Sequence, residues 1–203
     1  MNNLSVVNMA SFSAEQSRHE TPEAKRPWFP TFTGVAFDVI APTTRDISIR
    51  DIAQSLSMQC RFGGHCLRFY SLAEHGLRLS RLVGEKQALC ALLHDAAHAY
   101  VQDISVPLRP LLEGYDALKQ HVWNMIARRF HLPETLPNAI LKADLRLTAT
   151  EIEYLLLPTP KSWLPQVTPY TLEELGLNHS KQLGLLPRGA KRIYLERFAE
   201  LAV

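Results

Sequence analysis

Cys60, Cys66 and Cys90 are the only cysteines in 203 residues, too few and too irregularly spaced for a disulfide frame or a Cys-x-x-Cys zinc site. Such an odd set of thiols belongs in a reducing cytosol. No stretch approaches the 18 or so uninterrupted apolar residues that a membrane helix requires. The first twenty residues also lack a basic start followed by an apolar run, so neither secretion nor membrane spanning is expected. Charge of one sign is missing too: 22 basic residues against 20 acidic leave a net charge of +2, with no electrostatic footprint for duplex nucleic acid. Internal repeats are absent. What remains is a chain 46% hydrophobic, long enough for one domain with a real core and too short for two large ones.

Residues 1–26 are polar and without period, and read as a flexible tail; an ordered domain is expected over residues 27–203. Thr31 to Ile40 alternates around Gly34 and predicts a small hairpin. Helical signals follow. Ile52, Leu56 and Met58 suggest an apolar helix face with Asp51 in its first turn. Ser71-Leu72-Ala73-Glu74 has the form of a capping box opening a helix through His75, Leu79 and Leu82 to Gly84. Further helices are predicted over Lys86 to Tyr100, Asp116 to Phe130 and Asn138 to Leu157. After a proline-rich turn over residues 158–169, short ones are predicted at Thr171 to Leu175 and Pro187 to Leu201. The expected fold class is an all-α helical bundle with a minor N-terminal β-hairpin.

The most informative feature is the pair His94-Asp95, set in the apolar run Ala88 to His98. Burying imidazole and carboxylate is costly unless they have partners. His75 lies upstream and Asp144 downstream, each on a separate predicted helix, and facing helices of a bundle are where inward-pointing ligand sets are built. Two imidazoles and two carboxylates suit one divalent ion, Mn²⁺, Co²⁺, Fe²⁺, Mg²⁺ or Zn²⁺. An octahedral ion with four protein ligands keeps two positions for water and substrate, as a catalytic site needs. His94-Asp95-Ala96-Ala97-His98 also approximates a zinc-protease HExxH with Asp for Glu, but the shorter aspartate falls about one methylene short of where that base must reach.

The ordered set His75, His94-Asp95, Asp144 resembles the HD-domain metal-dependent phosphohydrolase superfamily, and within it phage- and plasmid-type HD hydrolases and bacterial 5′-deoxynucleotidases. The likeness extends through Thr31-Phe32-Thr33-Gly34, Cys60-Arg61-Phe62-Gly63-Gly64-His65, Tyr70 to His75, Leu93 to Ala97, Gln102 to Arg109 and Lys142-Ala143-Asp144. It implies an HD-domain bundle with His75, His94, Asp95 and Asp144 as metal ligands and Arg61 on the substrate phosphate. Phe62 takes the place of a tryptophan that packs on the sugar, and Asp103 that of an acidic residue beside the catalytic centre. Asp103 can equally cap the turn before Pro107. The implied substrate is a small-molecule nucleotide, a (deoxy)nucleoside 5′-monophosphate, and the implied assembly is compatible with a homodimer. Deoxynucleoside triphosphates and cyclic nucleotides are the alternatives.

The chain departs from the nucleotidase pattern at His98, where that branch has glutamate. Imidazole can take or give a proton at neutral pH. A histidine there also fits a second ion, as in cyclic-nucleotide phosphodiesterases, or a binding module that has lost catalysis. His65, after two glycines, lines a pocket or fills a turn; Arg68 and Arg109 meet phosphate or solvent; His121 and His131 are structural or exposed. Glu151, seven residues past Asp144, orients a ligand or pairs with Arg146 or Lys142. Arg61, in a glycine-flanked turn, is expected to matter for substrate rather than for stability.

Overall fold

The computed structural model describes residues 27–158, 160 and 165–202. The expected tail lies outside these residues, as does part of the proline-rich turn. Among the described residues, seven α-helices follow one two-stranded antiparallel sheet. The chain is mostly helical with a small sheet near its N-terminus. None of the described helices is long and apolar enough to cross a membrane.

Strands β1 (Trp28–Pro30) and β2 (Ala36–Asp38) pair with Phe29 opposite Phe37. The first strand falls earlier than the alternation suggests because residues 31–35 are consumed by the turn. There Thr31 N–H donates to Val35 O at 2.9 Å, and Gly34 takes a left-handed φ of 86°. Phe37 is fully buried and stacks on Tyr100 at 4.3 Å, which pins the hairpin to the helical body.

Helix α1 (Ile49–Met58) is capped by Ser48, whose hydroxyl accepts from Arg50 N–H at 3.2 Å. Asp51 does more than complement the helix dipole: it is buried and accepts both the amide and the hydroxyl of Thr33 at 2.7 Å, tying the hairpin to α1. Met58 is exposed and does not share the Ile52 and Leu56 face. At about 100° per residue it stands roughly opposite Leu56.

Helix α2 (Leu72–Leu82) starts where expected, with Ser71 Oγ accepting from Glu74 N–H at 3.1 Å. The reciprocal half of a capping box is not formed. The buried Glu74 carboxylate instead accepts from Arg78 Nε at 3.0 Å and from the amides of Gly184 and Leu185, clipping the C-terminal segment to α2.

The helix expected over Lys86 to Tyr100 is two: α3 (Glu85–Leu93) and α4 (His98–Val101). Between them Ala96 N–H donates to Leu93 O and His98 N–H to Asp95 O, a tightening to i→i+3 bonds. Helices α5 (Tyr115–Phe130), α6 (Asn138–Leu155) and α7 (Pro187–Leu201) lie close to expectation. Thr171 to Leu175 is a single uncontinued turn that Gly176 closes at φ 66°.

Helix α2 is central and packs against α1, α3, α6 and α7 around Ile52, Leu79, Leu92, Ile126 and Leu147. Its contact with α3 is close because position 76 is glycine. A Cβ there would sit 2.7 Å from the Leu92 carbonyl oxygen, so the two helices can approach only without one. That approach brings the residue next to Gly76, which is His75, to the end of α3. The three cysteines are free thiols, although Cys60 and Cys66 place their sulfurs 3.5 Å apart.

Candidate metal centre

His75 sits one turn into α2, His94 and Asp95 begin the tightened turn after α3, and Asp144 is on α6. One ligand atom each from His75, His94 and Asp95 lies within 4.8 Å of the others, and this group could hold a metal ion. Asp144 stands at its edge, with Oδ1 3.0 Å from His75 Nε2. The expected four ligands are therefore together, three as a tight group and Asp144 beside them.

The donor set fits a divalent ion because the far nitrogen of each ring is already engaged. His75 Nδ1 lies 2.7 Å from Glu151 Oε1 and His94 Nδ1 lies 2.8 Å from Ala91 O. A carbonyl oxygen only accepts, so His94 Nδ1 carries hydrogen and its Nε2 carries a lone pair. Glu151 sets the same order on His75 in its neutral form, the form that a metal ion binds. Both Nε2 atoms are buried without a well-directed hydrogen-bond partner, although Asp95 Oδ2 is 3.3 Å from that of His94. A carboxylate or carbonyl behind each imidazole is the arrangement that orients metal-ligating histidines.

The electrostatics of the cluster point the same way. Burial and the Arg61 cation push the His75 imidazole toward its neutral form, but Glu151 and Asp144 outweigh them and raise its pKa to about 9. A proton held this way is what a metal ion would displace. Burial alone would raise the Asp95 carboxyl; its neighbours His94 and His98 hold it well below the usual carboxylate range. Asp144 is likewise lowered to about 2, burial being overcome by His75.

Glu151 is the hub. Fully buried, it accepts from Tyr70 Oη–H at 2.7 Å and from His75 through one oxygen, and its other oxygen lies 3.0 Å from Arg61 Nε. It does not pair with Arg146 or Lys142. Arg146 donates instead to Thr168 O and Glu174.

Arg61 corrects the sequence reading. Rather than standing clear of the fold, its guanidinium is mostly buried, donates to Thr148 Oγ1 at 3.1 Å and lies 3.7 Å from Asp95. An arginine so enclosed supports both structure and site. It is followed by Phe62 at φ 56° and Gly63 at φ 60°. For phenylalanine this left-handed conformation is uncommon and costs on the order of 1 kcal/mol. The local strain turns Phe62 toward the cleft, with the Arg61 guanidinium carbon 5.3 Å from its ring centroid.

The cleft has a volume of about 850 Å³ and takes in Arg61, Phe62, His94, Asp95, His98, Asp103, Arg109 and Asp144. One wall is apolar, from Trp123, Leu136, Leu141 and Leu145. His98 is buried, with Nδ1 2.8 Å from Gln102 O and Nε2 3.4 Å from Asp95 Oδ1. Asp103 Oδ1 is 3.6 Å from His98 Nε2 and 3.5 Å from Arg109 Nη2, so it faces the cleft rather than capping the turn before Pro107. His65 is exposed and is not among the cleft-lining residues. Arg68 binds the carbonyls of Ser180 and Leu183 and braces the C-terminal segment. His121 and His131 are exposed.

Sequence reasoning missed three residues. Thr148 follows Asp144 by one helical turn, so the spacing that found Glu151 could have found it. Tyr115, whose hydroxyl donates to Gln102 O at 2.6 Å, and Lys119, whose ammonium is 2.9 Å from His98 Nε2, share a face of α5. Nothing in an amphipathic, charge-rich helix marks those two.

No family model matches the chain. It is similar to the uncharacterized protein YfdR of Escherichia coli strain K12, 37% identical over 172 residues that cover 85% of this chain and 94% of that protein. It is also similar to the uncharacterized Rhodobacter capsulatus protein RCAP_rcc00048, 35% identical over 129 residues that cover 59% of this chain and 66% of the other.

Proposed function

This chain belongs to the same family as YfdR, and we propose that it is a metal-dependent phosphohydrolase of the HD-domain type, acting on a (deoxy)nucleoside 5′-monophosphate. The observation that carries the reading is the convergence of two Nε2 atoms and the Asp95 carboxylate, with both Nδ1 atoms already committed, beside a cleft that His94, Asp95 and Asp144 line. Asp144 completes a four-ligand set for one ion, Mn²⁺, Co²⁺, Fe²⁺, Mg²⁺ or Zn²⁺. Bound there, the ion would supply Lewis acidity toward water and phosphoryl oxygen.

The chain's own groups do the rest. Glu151 orients His75, and Arg61 holds Glu151, Thr148 and Asp95 in register. With Nδ1 given to Gln102 O and Nε2 accepting from Lys119, His98 positions that lysine, and Asp103, 3.6 Å from His98 Nε2 and facing the cleft, is the group placed to take a proton from attacking water. The apolar wall of Trp123, Leu136, Leu141 and Leu145 suits the sugar and base.

A second ion, as in the cyclic-nucleotide reading, would need the His98 Nε2 lone pair, and Lys119 already donates to it. We therefore keep one ion. The test is a panel of nucleoside mono-, di- and triphosphates and cyclic nucleotides with each metal, reading phosphate release and product length. Release of phosphate from monophosphates, lost in His94→Ala together with bound metal, supports the reading. Pyrophosphate or triphosphate release would move it to triphosphate hydrolysis, and binding without turnover to a nucleotide-binding module.

A further inference from the structure

Three cations line the cleft: Arg61, Arg109 and Lys119. Arg61 faces a protein partner from each of its guanidinium nitrogens, and Arg109 from two of its three. Arg61 faces Glu151 at 3.0 Å, Thr148 at 3.1 Å and Asp95 at 3.7 Å. Arg109 gives Nε–H to Ile104 O at 2.9 Å and turns Nη2 toward Asp103. Lys119 differs. Its nearest carboxylate oxygen among the described ion pairs, Asp95 Oδ1, is 4.0 Å away, and its one close partner is His98 Nε2 at 2.9 Å.

The direction of that contact is settled by chemistry. A lysine ammonium has three N–H donors and no acceptor, so Nε2 of His98 must accept, which agrees with Nδ1–H being given to Gln102 O at 2.8 Å. One donor is thereby used and two are left for another acceptor. The imidazole is itself buried and held by Gln102 and by Tyr115, so it is a firm post on which the ammonium rests, a few ångströms from Asp95 at the mouth of the metal group. A lysine stem is flexible enough to carry the charge from that post onto an incoming oxyanion.

We propose that Lys119 is the substrate-binding cation of this site, receiving the non-bridging oxygens of a phosphate monoester dianion, with His98 as the residue that positions it. The proposal rests on the phosphohydrolase reading and extends it to a residue outside the HD-type motif. Arg61, by contrast, holds the centre together from behind.

Calorimetry with inorganic phosphate on Mn²⁺-loaded wild type, Lys119→Met and Lys119→Arg tests it, alongside KM and kcat for a nucleoside 5′-monophosphate and the metal content of each protein. Losing charge-assisted hydrogen bonds should weaken phosphate binding about 10-fold to 100-fold in Lys119→Met. KM should rise by a similar factor with metal content and melting temperature unchanged, and Lys119→Arg should recover most of the affinity. If Lys119→Met binds phosphate as wild type does, the inference is wrong and the phosphohydrolase reading is untouched. Loss of Mn²⁺ from Lys119→Met would likewise overturn the phosphate role. If Mn²⁺-loaded wild type neither binds phosphate nor hydrolyses the ester, the phosphohydrolase reading fails and takes this inference with it.

Discussion

Replacing Glu151 by glutamine removes one charge from the centre of the buried network without changing its shape. The carboxylate faces three partners, Tyr70, His75 and Arg61, and has no exposed surface. Removing one member of a buried ion pair costs about 3–5 kcal/mol, because the charge left behind stays desolvated. Arg61 keeps Thr148 and a longer contact to Asp95, so the lower end of that range applies. An independent route gives the same order. The net rise of His75 from 6.5 to about 9, what remains after burial and Arg61 oppose Glu151 and Asp144, is worth about 3 kcal/mol at 1.36 kcal/mol per pKa unit.

For a chain of this size a loss of about 3 kcal/mol lowers the melting temperature by about 6–12 °C. The unsupported His75 ring should also weaken Mn²⁺ binding about 10-fold to 100-fold. Urea denaturation of the metal-free protein and a Mn²⁺ titration read the two effects separately. Glu196→Gln, which breaks the exposed pair with Arg192, is the contrast and should change stability by less than about 1 kcal/mol. A Glu151→Gln protein with wild-type denaturation midpoint and wild-type Mn²⁺ affinity would refute the hub role.

Two other outcomes are expected. His75 has a folded pKa above its unfolded value, so the stability from its protonation is complete below about pH 6.5 and is lost as pH rises through about 9. The denaturation midpoint of chelator-treated protein should fall across that window. Saturating Mn²⁺, which needs the deprotonated ring, should remove the fall, and a flat or rising metal-free profile would contradict the assignment. Gly76→Ala should destabilise by about 1–3 kcal/mol, since its Cβ meets the Leu92 carbonyl oxygen at 2.7 Å. An ordinary helix glycine would instead gain about 0.5–1 kcal/mol on conversion to alanine, so higher stability in denaturant would show that α2 and α3 are not in close contact there.

Helix positions were legible from local pattern, and the residue types at His75, His94 and Asp95 marked a group that could hold a metal ion. Apolar spacing and serine caps placed α2, α5, α6 and α7 to within a few residues, because those signals act over one or two turns. The adjacent polar pair His94-Asp95 in an apolar run had to find partners, as a site or as a hydrogen-bonded structural pair. Long-range decisions were not legible. Ser71-x-x-Glu74 reads as a capping box, but Glu74 had better acceptor work in the amides of Gly184 and Leu185, more than a hundred residues away. The run through His98 reads as one helix until packing tightens it after Leu93. Arg61 reads as a loop arginine because nothing beside it in sequence reveals that Glu151, Thr148 and Asp95 enclose it. Lys119 is chosen from among many surface-type lysines only by the fold of α5 against α4. Residue types and their spacing determined which groups could bind a metal; the approach of helices distant in sequence decided which of them are charged, which are held, and which have donors to spare.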